Sequence, residues 1–307
     1  MIIVRISGGL GNQMFQYALI CALKKTYPDV LIKADITDYK KNYSHTGFVL
    51  EKYFNIQIPV ADKNEIKKVY LAQDAFMRSD LTVGMGRFEK LFRHELDFYK
   101  RKKLGPYNIT DFAFNVYNPE VFHLDPVINW YLNGYWQNVQ YFDGLRQELP
   151  LFFSFRRKIP ESVASLAVKM QQEESVAVHV RRGDYAKSGF DLCKKDYYMT
   201  AKKKIENRIK SPVYYFFSDD PRYVSRNFPE FEAQSVICHG DEECDLDMFL
   251  MTNCRHAINA NSSFSFWGSA LKRNPGLILY PEYSLNRRNI MYTGPAWKEW
   301  IRIDNLC

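Results

Sequence analysis

Short apolar runs alternate with amphipathic stretches in the first 35 residues of the chain. Residues 2–6 and 30–35 are apolar runs of strand length, and residues 14–27 between them place apolar side chains at helical spacing. The glycine-rich segment SGGLGNQ (7–13) predicts a turn between the first strand and this helix. A strand, loop, helix and strand in this order are typical of an α/β layer structure.

The same alternation restarts in the second half of the chain. The predicted helices lie at 162–173, 196–209, 245–255 and 263–273, and the predicted strands at 175–180, 213–217, 256–260 and 276–280. The strands are continuous apolar runs, which is typical of a parallel sheet covered by helices on both faces.

The sequence predicts two α/β domains, residues 1–155 and 156–307, divided at the charged stretch SFRRKIPES (154–162). In the first domain, residues 60–125 predict helical and irregular structure, and residues 128–136 predict a strand that returns to the sheet. We expect the last segment of the chain to pack back on the first domain. A chain of 307 residues is long enough for two domains that each bury a core.

Composition limits the classes of partner. The chain is 46% hydrophobic, which is typical of a globular protein. Its formal net charge of +7 is typical of solvated helix faces and is also compatible with a phosphate-bearing ligand. No nucleic-acid-binding motif accompanies this charge, so we expect no nucleic acid partner. The six cysteines form no CxxC pair and no zinc pattern, which predicts reduced, cytosolic thiols. We expect no signal peptide and no membrane span, so any membrane contact would be peripheral.

Polar clusters follow three of the predicted strands in the second half. They are RRGD (181–184), SDDP (218–221) and NSSF (261–264). Because ligands of open α/β sheets gather at the carboxyl ends of the strands, we expect the three clusters to form one site.

The residue types in these clusters suit a nucleoside diphosphate. Arg181 and Arg182 offer planar guanidinium groups that match phosphate oxygens, and Asp184 could orient an arginine or contact a sugar hydroxyl. Ser262 and Ser263 precede a predicted helix, whose free N–H groups bind phosphate. A surface salt bridge and a simple helix cap remain alternatives.

The SDDP cluster could recognise a base. Asp220 and Pro221 predict the start of a helix, which leaves Asp219 to accept hydrogen bonds from the paired donors of guanine. Adenine lacks that pair, so a carboxylate would discriminate between the two bases. Two helix-capping acids remain the alternative.

Two other motifs suggest different chemistry. SGGLGNQMFQ (7–16) resembles a dinucleotide loop, but Met14 occupies the position of the last glycine, so an oxidoreductase is disfavoured. Asn12 and Gln13 could instead contact a ligand from the N-terminal side of a cleft. DLD (245–247) resembles the metal motif of many sugar transferases, but its context predicts a helix start where aspartates complement the dipole. We expect no metal ligands.

The chain resembles the α-1,2-fucosyltransferases of glycosyltransferase family 11, and the match runs in order from end to end. It is carried by GGLGNQMFQYA (8–18), GYWQNVQYF (134–142), HVRRGDY (179–185), FFSDDP (216–221) and NANSSFSFWGSAL (259–271). The arginine motif is shared with α-1,6- and protein O-fucosyltransferases, whereas GGLGNQ and NSSFSFWG are more specific to family 11. The chain looks like the bacterial type, which lacks the membrane anchor of eukaryotic members.

The resemblance implies a GT-B-like fold, in which two Rossmann-like α/β domains face each other across a cleft. It implies transfer of L-fucose from GDP-β-L-fucose to O2 of a galactose-terminated oligosaccharide, with inversion to an α-fucoside. It implies that no metal or other cofactor is required. The expected location is the bacterial cytoplasm, at the inner face of the membrane. A non-catalytic GDP-sugar or glycan-binding module is the alternative.

The resemblance also assigns roles to residues. Arg181 would hold the β-phosphate, Arg182 would orient the loop or the acceptor, and Asp184 is our candidate for the proton acceptor. The residues expected to bind GDP-fucose are His179, Arg181, Arg182, Asp219, Asp220, Ser262, Ser263 and Phe264. The residues expected on the acceptor and fucose side are Gly9, Gly11, Asn12, Gln13, Trp136 and Gln137.

Overall fold

The computed structural model describes residues 1–40, 47–67, 69, 108–111, 116–287 and 290–306. The described strands form a four-stranded parallel sheet, a six-stranded parallel sheet and a two-stranded hairpin. Most of the predicted helical and irregular region, 60–125, lies outside the described residues. Within it, residues 63–67 are helical, and Asn108–Asp111 form a strand that the sequence pattern did not predict.

The first sheet is built from the N-terminal half of the chain. Its strands are β1 (Ile2–Arg5), β2 (Ile32–Asp35), β3 (Asn108–Asp111) and β4 (Trp130–Gly134), in the order β2-β1-β4-β3. All three pairings are parallel. Apolar side chains of β1 are fully buried because both faces of the sheet are covered.

The first long helix, α1 (Leu10–Thr26), begins four residues earlier than the pattern predicted. Gly8 has a φ of 79° and turns the chain, so the predicted turn over 7–13 is shorter and the helix starts directly after Gly9. The polar residues of this first turn hid the helix from a search for apolar periodicity. Besides the helical residues 63–67, the described part of this half has two short helices, α2 (Leu50–Tyr53) and α3 (Leu149–Phe152).

The second sheet confirms the four strands predicted after residue 156 and adds two. Its order is β12-β9-β8-β5-β6-β7, and every pairing is parallel. The strands are β5 (Ser175–Val180), β6 (Val213–Ser218), β7 (Ser235–Ile237), β8 (His256–Ile258), β9 (Ile278–Pro281) and β12 (Ile301–Ile303). β7 and β12 have three residues each, which is too short for a period to be recognised. Between β9 and β12, β10 (Tyr283–Arg287) and β11 (Ile290–Thr293) pair as the antiparallel hairpin.

Five helices cover the second sheet. They are α4 (Glu161–Gln172), α5 (Lys195–Glu206), α6 (Pro221–Asn227), α7 (Cys244–Asn253) and α8 (Ser263–Ala270). All four helices predicted in this half are confirmed, with ends that shift by at most three residues. Among the described residues, no helix combines the length and apolar character that crossing a bilayer requires.

One aromatic core joins the two halves. The ring of Phe15 in α1 lies 4.7 Å from that of Phe266 and 5.0 Å from that of Trp267, both in α8. Near the C-terminus, Trp297 packs on Phe266 and donates a 2.7 Å hydrogen bond from its indole nitrogen to Asp143 of the first half. The boundary between residues 155 and 156 stays a prediction, since this packing crosses it.

Candidate active site

A cleft of about 490 Å³ lies where β5 and β6 end and where α1 and α8 begin. Its lining brings together most of the residues that the sequence singled out. Those that line it are Gly9, Gly11, Asn12, Gln137, His179, Arg181, Asp184, Asp219, Ser262, Ser263 and Phe264. The expected convergence of the three strand-end clusters is therefore observed.

Arg181 lines the cleft as a cation held between two carboxylates. Its Nη2 donates to Asp184 Oδ1 at 2.9 Å, and its Nη1 lies 3.2 Å from Asp219 Oδ2. Burial disfavours the charged guanidinium, but the carboxylates of Asp219 and Asp184 outweigh it and raise the pKa of Arg181. The side chain is thus charged and held in position before any ligand arrives.

The turn that carries Arg181 closes on Asp219. The backbone N–H of Arg182 donates to Asp219 Oδ1 at 2.8 Å, so both carboxylate oxygens have partners within the protein. A Cβ at Gly183 would lie 2.6 Å from Asp219 Oδ2, which explains why glycine follows the two arginines. The sequence predicted that Asp219 would be available to accept hydrogen bonds from guanine, and this arrangement differs from that prediction.

Two residues predicted to bind the donor do not line the cleft. Arg182 pairs with Asp191 at 2.9 Å and lies over the ring of Tyr223 at 4.2 Å. Asp220 caps α6 by accepting a 2.9 Å hydrogen bond from the backbone N–H of Tyr223. Both therefore support the wall of the cleft from behind.

His179 is a neutral imidazole on the cleft wall. Burial, assisted by the charge of Arg181, lowers the pKa of His179 to about 3. Its Nδ1 is buried without a hydrogen-bond partner in the described part of the chain, and its ring lies 5.8 Å from that of Phe264. The imidazole can therefore bind a polar group of a ligand without changing charge near neutral pH.

The N-terminus of α8 lies at the cleft, which Ser262, Ser263 and Phe264 line. Ser262 caps the helix by accepting a 3.3 Å hydrogen bond from the backbone N–H of Phe264. Tyr185 also contacts Ser262. Burial raises the pKa of the Tyr185 hydroxyl to about 12, so this hydroxyl stays protonated. Free N–H groups and the helix dipole at this end favour negative charge.

On the N-terminal side, only part of the predicted acceptor set lines the cleft. Gln137 donates from Nε2 to Asn12 Oδ1 at 2.7 Å, and both side chains line the cleft. Gln13 is fully buried, donates to the carbonyls of Gly8 and Gly47, and does not line it. Trp136 is also fully buried, with its ring edge-on to Tyr141 at 5.4 Å.

Asp247 lines the cleft, although the sequence assigned it only a role at a helix start. The predicted helix is confirmed as α7, and Asp247 accepts a 3.2 Å hydrogen bond from the backbone N–H of His239. Burial raises the pKa of Asp247, while His239 opposes the shift. Its neighbour Asp245 lies 3.5 Å from Arg157. The sequence predicted this helix but not that Asp247 would line the cleft where the polar clusters meet.

Metal ligands were not expected, and the DLD motif was the one candidate. In the part of the chain that the structure describes, no three His, Cys, Asp or Glu residues are grouped as they would be around a metal ion. Asp245 and Asp247 are engaged with Arg157 and His239 instead.

Comparisons with known proteins agree on the family. The family model "Glycosyl transferase family 11" matches residues 1–304. The chain is 28% identical over 317 residues to an alpha-1,2-colitosyltransferase of Escherichia coli, covering 99% of both chains. It is 28% identical to the O-antigen biosynthesis glycosyltransferase WbnK of Escherichia coli, covering 87% of this chain and 88% of WbnK.

Solved structures show the fold. The fucosyltransferase NodZ from Bradyrhizobium superimposes with a TM-score of 0.50 at 13% sequence identity, covering 96% of this chain and 99% of NodZ. The fold is of the GT-B type, as the resemblance implied. The cleft described above lies between its two parallel-sheet units.

Proposed function

The chain belongs to glycosyltransferase family 11, and from this premise we propose that it transfers L-fucose from GDP-β-L-fucose to O2 of a terminal galactoside. The product would be an α-1,2-fucoside, formed with inversion and without a metal ion. The proposal rests on one observation above all, which is that Arg181 and the N-terminus of α8 line the same cleft as Asn12 and Gln137.

Leaving-group stabilisation is the chemistry this cleft suits best. When the bond between fucose C1 and phosphate breaks, negative charge grows on GDP while the sugar becomes oxocarbenium-like. In this proposal, Arg181 and the N–H groups at the start of α8 supply the positive charge that stabilises the leaving group. This supports metal independence, because the protein itself supplies the positive charge.

The acceptor hydroxyl would attack C1 from the face opposite the phosphate and lose its proton to a base. Asp184 stays our proposal for this base. Its carboxylate is 57% exposed on the cleft and is held 2.9 Å from Arg181. The acceptor hydroxyl would then lose its proton to Asp184, and GDP would leave beside Arg181, so one ion pair would serve both events.

We propose that the guanine base meets His179 and Asp247. Asp219 is held by the charged guanidinium of Arg181 and by the backbone N–H of Arg182, whereas both oxygens of Asp247, a second cleft carboxylate, contact the single residue His239. A carboxylate can accept both N–H donors on the edge of guanine, which adenine does not offer.

One relative suggests GDP-colitose as a second donor to test. The Escherichia coli relative whose alignment covers 99% of both chains is an alpha-1,2-colitosyltransferase. Colitose is L-fucose without the 3-hydroxyl group, so a cleft that binds one sugar is close in shape to a cleft for the other. Loss of a hydroxyl is discriminated only where the protein hydrogen-bonds to it.

We also propose action in the bacterial cytoplasm, with peripheral contact at the inner face of the membrane. Two bacterial relatives support the first part. The net charge of +7 supports the second, because anionic lipids attract basic surfaces.

The decisive experiment is a donor screen with product linkage determined by NMR. GDP-fucose, GDP-colitose and UDP-galactose are each offered with lactose as acceptor, with and without excess EDTA. We expect an α-1,2-linked product from a GDP-sugar, at a rate that EDTA changes only modestly. GDP binding with neither transfer nor donor hydrolysis would indicate the binding module instead. If EDTA abolishes transfer and Mn²⁺ restores it, Asp245 and Asp247 become the site to mutate.

A further inference from the structure

Tyr135 is a large aromatic side chain left exposed inside the cleft. It follows β4 directly, and it is 41% exposed, whereas its neighbours Trp136 and Gln137 are buried. Among the exposed large apolar side chains of the described residues, Tyr135 is the one that lines the cleft. An aromatic surface kept open at this place needs an explanation that the donor site does not provide.

The backbone beside Tyr135 is strained in a way that presents its side chain. Trp136 has a φ of 55°, in the left-handed region that bulky residues rarely adopt. The buried indole packs edge-on to Tyr141, and the Trp136 carbonyl accepts a 2.9 Å hydrogen bond from the backbone N–H of Asn138. Strain of this kind persists only where the surroundings hold it, and it concentrates at ligand sites. The residues on either side of Trp136, Tyr135 and Gln137, both line the cleft.

The groups beside Tyr135 suit a sugar. Gln137 is hydrogen-bonded to Asn12 at 2.7 Å, so an amide pair shares the cleft with the phenol ring. Galactose has an apolar patch formed by its C3, C4 and C5 hydrogens on one face and hydroxyl groups around it. An aromatic ring covers such a patch, and amides bind the hydroxyls.

We propose that Tyr135 is the platform on which the acceptor galactoside stacks, and that it sets the affinity for the acceptor. The proposal rests on the glycosyl transfer proposed above. Arg181, His179 and α8, which are assigned to the donor, all come from the second half of the chain. Tyr135 comes from the first half, so it should act on the acceptor and leave GDP binding unaffected.

Steady-state kinetics on three variants tests the inference. Tyr135→Ala should raise the KM for lactose about tenfold, with the Kd for GDP unchanged, as expected when a stacked ring is removed. Tyr135→Phe keeps the ring and should restore a KM within about twofold of the wild type. Val127→Ala, at an apolar position 89% exposed and away from the cleft, controls for surface changes. A wild-type KM for lactose in folded Tyr135→Ala, or an equal loss of GDP affinity, would refute the platform.

A binding measurement separates this inference from the proposed reaction. Lactose is titrated by NMR into the GDP-loaded wild type and into both Tyr135 variants, which requires no turnover. If the wild type transfers no sugar but binds lactose through Tyr135, the proposed reaction fails and the platform stands. If the GDP-loaded wild type does not bind lactose, or if Tyr135→Ala binds it equally well, the platform is wrong.

Discussion

Replacing Gly11 by alanine tests how closely the two halves of the molecule must approach. Gly11 lies in the first turn of α1 and touches the N-terminus of α8. A Cβ at this position would lie 2.6 Å from the backbone carbon of Ser263 and 2.7 Å from the backbone nitrogen of Phe264. The Gly11 carbonyl also accepts a 3.0 Å hydrogen bond from the indole of Trp267.

The size of the effect follows from these contacts. Ordinary van der Waals contact begins near 3.4 Å, so the two helices must separate by about 0.8 Å at this point. Overpacking costs about 1–3 kcal/mol, and a weakened hydrogen bond to Trp267 adds about 1 kcal/mol. The better helix propensity of alanine offsets at most about 1 kcal/mol. We expect the variant to lose about 1–3 kcal/mol of unfolding free energy.

Activity should fall more steeply than stability, because α8 carries Ser262 and Ser263. A displacement near 1 Å at a catalytic site can cost about a hundredfold in kcat/KM. Urea unfolding followed by tryptophan fluorescence gives the stability, and fucose transfer gives the kinetics. Gly144→Ala is the matched control, because a Cβ there meets nothing within 4 Å. If Gly11→Ala proves as stable and as active as Gly144→Ala, the close approach of α1 and α8 is not what requires glycine.

The remaining predictions concern ionisable groups of the cleft. Arg181→Lys should fold but lose roughly two orders of magnitude in kcat/KM, since lysine lacks the planar fork, and near wild-type turnover would contradict the assignment. Calorimetry should show that Asp219→Asn weakens the binding of GDP, ADP and pyrophosphate alike, because Asp219 holds Arg181. Asp247→Asn should weaken the binding of GDP most. If Asp219→Asn instead loses affinity only for the guanine nucleotide, the roles of the two aspartates are reversed. The pKa of His179 is about 3 in the folded protein, below the ordinary value of 6.5 for a histidine, so the unfolded chain binds the proton first. The free energy of unfolding should therefore fall by up to about 1.4 kcal/mol per pH unit as the pH drops from 6.5 towards 3. In His179→Asn the free energy of unfolding should depend less on pH than in the wild type. If urea unfolding curves show the same pH dependence for both proteins, His179 is not a buried neutral imidazole.

Much of the second half could be predicted because its physics is local. β5 and β6 are buried on both faces, so they had to be continuous apolar runs, and such runs are visible in any single sequence. Polar residues directly after these runs had to meet at one sheet edge once the strands were parallel. The shared placement of Arg181, Asp219 and Ser262 followed from the pattern alone.

Side-chain direction within each cluster could not be predicted. Arg181 and Arg182 are adjacent and chemically identical, but only the first lines the cleft, because Asp191 and Tyr223 hold the second. Asn12 lines the cleft while Gln13 is buried against a loop more than thirty residues away. These choices depend on partners that are distant along the chain.

The sequence by itself determined the α/β alternation, the edge of the second sheet where the polar clusters meet, and the type of ligand that those residues suit. The tertiary structure alone decided that Gly11 serves a helix contact with Ser263, that Asp247 lines the cleft, and that Tyr135 stays exposed in it. The physical reason is the range of the interactions: burial and periodicity act over a few residues, whereas the contact between α1 and α8 joins positions that are about 250 residues apart.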